Sequence, residues 1–120
     1  MARPLSTSQI STALGSLLLL SAVTHVSQLI VYGGESHVIG SAGFGVLYGL
    51  LGIGVLRGSR WAYLGAAIFP TIGGLLGIYR FFFLHPNPFS IFHPCLDLII
   101  VPLAVIGWRR TLADRIPSSI

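Results

Sequence analysis

Charged side chains are scarce in this chain: they make up 8% of its 120 residues, against about a quarter in an ordinary soluble domain. A chain this short has a large surface for its volume. So few charges exclude a surface that faces water on all sides and point to lipid as the solvent. Lysine is missing altogether, and the seven basic residues are Arg3, Arg57, Arg60, Arg80, Arg109, Arg110 and Arg115. One cysteine, Cys95, excludes an intramolecular disulfide. No CxxC, HExxH, zinc-finger or phosphate-loop spacing occurs, so Gly49, Gly52 and Gly54 are not a nucleotide loop.

The net charge of +4 does not indicate a nucleic-acid partner. The arginines stand at the ends of apolar stretches, where they act as signals of membrane orientation. Their use in place of lysine reflects genome composition as readily as function.

Apolar runs are what the chain does have, with 53% hydrophobic residues and a mean hydropathy of +0.85. Four stretches stand out: Ile10–Tyr32, Val38–Leu56, Trp61–Leu84 and Phe89–Trp108. Each is about 19 to 24 residues, enough for a helix to cross a hydrocarbon core of roughly 30 Å. They are apolar on every face, which excludes the alternating pattern of a membrane β-barrel. The connections are short, and a Pro-rich turn around His85, Pro86, Asn87 and Pro88 joins the last two stretches. The expected fold is an all-α, multi-pass integral membrane four-helix bundle running up-down-up-down, in one domain.

Leu14 to Val23 superficially resembles a signal-peptide core, with small residues at Ser21 and Ala22. Apolar character continues through Val31, so an uncleaved first helix is expected. If the N-terminus is inside, six arginines face the cytoplasm and only Arg80 falls in the outer half. Both termini are then cytoplasmic, as in a protein of a prokaryotic plasma membrane. Trp61 and Trp108 fall at the inner interface.

Small residues recur at helical spacing. Ser41, Gly45, Gly49 and Gly52 form a stripe on the second helix, and Gly73 and Gly77 one on the third. Such stripes let backbones approach closely. Packing of the second helix on the first or third is the plain reading; a homo-oligomer or a larger membrane complex is the sharper one. Pro70 and Pro102 fall mid-helix and are expected to bend the third and fourth helices.

Polar residues cluster in the outer half. His25 lies roughly 10 Å below the end of the first helix. Arg80, His93 and Asp97 fall near the same layer, and His93 and Asp97 share a helix face at i, i+4. Charged groups at this depth are costly and tend to be paired or functional. Arg80 with Asp97 is the expected ion pair. Glu35, His37, His85 and Asn87 are expected to form a vestibule above it, with Ser36 capping the second helix. Phe81, Phe82, Phe83, Phe89 and Phe92 surround the turn as an aromatic belt or a lid for a lipid-like ligand.

Three functions follow. The leading one is non-enzymatic: a complex subunit, or a module binding a small or lipid-like ligand through the outer polar layer. The second is a quinone-linked redox protein in which His25 and His93 ligate haem b, or, with Asp97, a transition metal. The third is a membrane enzyme or proton-coupled carrier using Asp97 and Arg80. Against the second stands the plain alternative that each imidazole bonds a nearby carbonyl or hydroxyl, with Ser21, Thr24 and Ser27 close at hand.

Overall fold

The structure, a computed structural model, describes residues 5–115, with side chains from 5 to 113. Arg3 and the side chain of Arg115, used above for orientation, lie outside the described residues. Four helices make up the fold: α1 (Thr7–Tyr32), α2 (Ser36–Leu56), α3 (Arg60–Phe83) and α4 (Phe89–Arg115). All four are long and apolar enough to cross a membrane.

The helix ends follow local chemistry. α1 begins three residues before the apolar run because Ser6 and Gln9 form a reciprocal capping box. Gly33, at φ 80°, ends it with an N–H donated to the Leu29 carbonyl. This left-handed position suits glycine because no Cβ is present to clash. Gly58, at φ 79°, makes the equivalent turn after α2. The expected cap on α2 is corrected: Glu35 occupies the N-cap position and Ser36 is the first helical residue. α4 runs beyond Trp108 through Arg109 and Arg110, since those arginines tolerate the helix while leaving the apolar layer. Pro70 and Pro102 both stand inside continuous helices, as does Pro94.

α1 pairs most extensively with α2, and α3 with α4; the two pairs meet through α1 with α4 and α2 with α3. The core gathers Leu14 and Leu18 of α1, Tyr48 and Val55 of α2, Tyr63 and Ala66 of α3, and Ile100 and Ala104 of α4. Trp61 is exposed, whereas Trp108 packs against the core.

The glycine stripe of α2 lies against α1. A Cβ at Gly45 would stand 2.7 Å from the His25 Cβ and 3.0 Å from the Ala22 carbonyl oxygen. One at Gly52 would stand 3.2 Å from the Gly15 carbonyl. Gly49 faces Ala22 at an ordinary 3.5 Å. The two glycines of α3 face different neighbours: Gly73 meets Tyr48 and Phe44 of α2, and Gly77 meets Pro94 of α4. These stripes therefore serve packing within the chain. A Gly45→Val substitution should destabilise the fold by about 1–3 kcal/mol through overpacking. Gly43 has open space where its Cβ would be, so Gly43→Ala should cost nothing. Unfolding in mixed detergent micelles measures both, and equal midpoints would show that α1 and α2 separate freely.

Candidate functional site

On α1 the buried stripe changes character along its length. Ile10, Leu14 and Leu18 give way to Ser21, His25 and Gln28. α4 shows the reverse order, with Ser90, His93 and Asp97 followed by Ile100 and Ala104. The polar portions meet: hydrogen bonds join Thr24 and Gln28 of α1 to His93 of α4 and Arg80 of α3, and Arg80 to His37 of α2. This region is called the histidine end below.

Arg80 organises it. Its side chain is 7% exposed. Nη1 donates to Gln28 Oε1 at 2.5 Å, and Nε donates to His37 Nδ1 at 3.0 Å. Gln28 in turn donates to Ser41 Oγ at 2.9 Å, and His37 Nε2–H donates to Glu35 at 2.7 Å. One chain of hydrogen bonds thus ties α1, α2 and α3. Buried Nη2 has no partner among the described residues.

α4 joins through the histidines. His93 Nε2 lies 2.7 Å from Thr24 Oγ1, whose own hydrogen is directed at the Leu20 and Ser21 carbonyls. Nε2 is therefore the donor. His25 Nδ1 lies 2.7 Å from the Ser21 carbonyl, which can only accept. These assignments rest on the bonding pattern. They leave His25 Nε2 and His93 Nδ1 as acceptors. The two rings stack, with centroids 3.6 Å apart and planes 17° from parallel. Tyr48 closes the layer from below, edge-on to His25 at 5.1 Å.

A cavity of about 270 Å³ opens within this network. Arg80, His37, Ser41, Ser90, His25 and His93 supply its polar wall, and Phe44, Leu76, Tyr79 and Leu84 its apolar wall. Of the expected vestibule residues, His37 lines this cavity, and exposed Glu35 only holds His37. His85 stacks edge-on with Tyr32 at 4.8 Å. Asn87 shapes the turn: Oδ1 accepts the Ser90 N–H at 3.1 Å, and Nδ2 donates to the His85 carbonyl at 2.6 Å.

Three expectations need correction. Arg80 and Asp97 are not an ion pair. Among the described residues the only contact of that kind is His37 with Glu35. Asp97 packs at Gly74, where an added Cβ would stand 3.2 Å from Oδ2. Gly74 lies six residues before Arg80 on α3, about 9 Å along the axis. Haem does not fit either. Axial ligation needs the iron and macrocycle between the two imidazoles, and stacked rings leave no slot between them. Finally, no three His, Cys, Asp or Glu side chains among the described residues, His25, His93 and Asp97 included, are grouped to hold a metal ion.

Sequence reasoning passed over Gln28 and Tyr48. Gln28 shares the i, i+3 face of His25, and that spacing to a buried histidine was the available signal. Comparison with protein-family models, curated proteins and solved structures gives no match.

Two outcomes follow. Gln28→Leu removes the acceptor of a buried guanidinium and should cost about 1.5–3 kcal/mol; an unchanged unfolding midpoint in mixed micelles would refute the anchoring role. Protein expressed with ample haem and purified in detergent should show no Soret band. A band lost in both His25→Ala and His93→Ala would show that the rings part to admit the cofactor.

Proposed function

We propose that this protein is a small membrane-integral binding module for an amphiphile with a carbonyl or carboxylate head. The observation that carries this reading is Arg80. It is buried, held by Gln28 and His37, and on the wall of a cavity of about 270 Å³. A guanidinium presents five donors in a fixed fork. Its anchored geometry favours a planar acceptor group, and the apolar wall favours a hydrocarbon body. The two free imidazole nitrogens would receive any hydroxyl on the ligand.

An enzyme or proton carrier built on Asp97 with Arg80 has less support, since the two do not meet. Below the polar layer the core is apolar, with Leu14, Leu18, Ile100 and Ala104 fully buried. Tyr48 and Tyr63 are the hydroxyl-bearing side chains of that core among the described residues, and no titratable acid or histidine joins them there.

In this reading the helices alternate direction in a plasma membrane of prokaryotic type. Arg57, Arg60, Arg109 and Arg110 anchor the cytoplasmic end, and the cavity opens toward the outer half. A second copy or another membrane subunit would supply or receive the ligand.

Two measurements test these statements. Octanoate and menadione, one a carboxylate and one a diketone, are the probes for equilibrium dialysis against protein in nanodiscs, with empty discs subtracted. Arg80→Gln should weaken at least one probe about tenfold or more; equal binding by the variant would remove the reading. For orientation, Gly34→Cys and Ser59→Cys are placed in a Cys95→Ser background. An impermeant maleimide applied to intact cells should label Gly34→Cys alone, and labelling of Ser59→Cys alone would invert the topology.

A further inference from the structure

Asp97 lies in α4 between Pro94 and Pro102, eight residues after the helix begins at Phe89. Its side chain is 5% exposed, yet buried Oδ1 has no hydrogen-bond partner among the described residues. Arg80 and the two buried histidines line the other cavity. Beside Asp97, between α3 and α4, is a second cavity of about 420 Å³. Leu75, Ile78, Leu98 and Val101 form apolar walls. Leu75 and Leu98 are strongly exposed at its rim, so access is from the hydrocarbon side. Cys95 also lines it and is exposed.

The accessible lining of this cavity is almost entirely apolar, and the Asp97 carboxyl borders it from a buried position. Thr71 lines it, but the Thr71 hydroxyl donates to the Ala67 carbonyl at 2.7 Å. Pro102 has no N–H, which leaves the Leu98 carbonyl without its helical donor. Asp97 adds the carboxyl. A buried carboxylate without a cation is costly in a membrane, and a ligand carrying both positive charge and N–H donors removes that cost.

We infer that the α3–α4 cavity around Asp97 is a second binding site, and that it takes a lipophilic ammonium ion: a protonated amine on a compact apolar body. Asp97 receives the ammonium, the freed Leu98 carbonyl is a second acceptor, and the leucine-rich walls take the hydrocarbon. Gly74 stands against the carboxyl: an added Cβ would lie 3.2 Å from Asp97 Oδ2, close enough to shift it. The carboxyl stands about 12 Å along α4 from its start, below the headgroup layer. A free amine reaches it more readily than the ethanolamine of a phospholipid. The site is independent of the Arg80 cavity.

The sole cysteine gives the readout. The full chain in phosphatidylcholine nanodiscs is treated with N-ethylmaleimide, and Cys95 modification is followed by mass spectrometry. 1-Adamantylamine at saturation should slow modification about tenfold or more, and 1-adamantanol, with the same body and no charge, should not. Asp97→Asn should abolish protection while its circular dichroism stays helical. Gly74→Ala should raise the amine concentration needed for protection severalfold, and serves if Asp97→Asn does not fold. Arg80→Gln should leave protection unchanged, which separates this site from the first. The inference is overturned if the amine does not protect, if adamantanol protects equally, or if folded Asp97→Asn is still protected. It is also overturned if Arg80→Gln abolishes protection while its circular dichroism stays helical and its unfolding midpoint stays that of the parent. Phosphatidylethanolamine discs that slow modification without amine, in an Asp97-dependent way, would assign the site to a lipid headgroup instead.

Discussion

A guanidinium buried among apolar helices must find acceptors, because charge at membrane depth is costly and water is absent. Arg80 finds two, Gln28 on α1 and His37 on α2. That requirement fixes the rotation of three helices about their axes. Turning α1 by one residue, about 100°, would carry Gln28 out of reach. His37 is in turn held by Glu35, so even an exposed carboxylate contributes to placing the buried cation. The cavity wall is a consequence of this network.

The glycine contacts and the polar network depend on each other. Gly45 lies against the backbone and Cβ of the α1 segment carrying Ala22 and His25. That close approach brings Gln28 to Ser41, one turn before Gly45 on α2. Without it the amide would be left with a single partner. In lipid, where apolar association gives little drive, van der Waals closeness and interhelical hydrogen bonds are the available forces. Here they act on the same pair of helices, at adjacent turns.

Much of the fold was legible because it depends on composition and length. Four predominantly apolar runs with Gly- or Pro-containing connections require four helices, and the structure has them. The polar cluster was legible in part. His25, Arg80 and His93 line one cavity, as their depths implied. Asp97 does not, because depth counted from helix ends ignores the offset between helices. Gly77 against Pro94 and Gly74 against Asp97 set how α3 and α4 slide past each other. That offset depends on small residues meeting bulky ones, which periodicity does not encode. The stacking of the two imidazoles was likewise illegible. It depends on α1 and α4 meeting at Thr24 and His93, a contact between residues far apart in the chain. The Ser36 cap failed for a local reason: the chain enters α2 one residue earlier, at Glu35.

The offset of α3 and α4 also determines the electrostatics. Had the helices slid by about two turns, Arg80 and Asp97 would have met, and each would have neutralised the other. Both would then have been structural. Kept about 9 Å apart along α3, they line different cavities, one holding the guanidinium and one bordered by the carboxyl. The guanidinium is satisfied on two of its nitrogens, and the buried Oδ1 of the carboxyl has no partner among the described residues. A bundle selected only for stability would replace such a separated pair by apolar residues of similar volume, since unpaired buried charge lowers stability. Retaining both, each beside its own cavity, is the arrangement expected when the missing partners arrive from outside the chain.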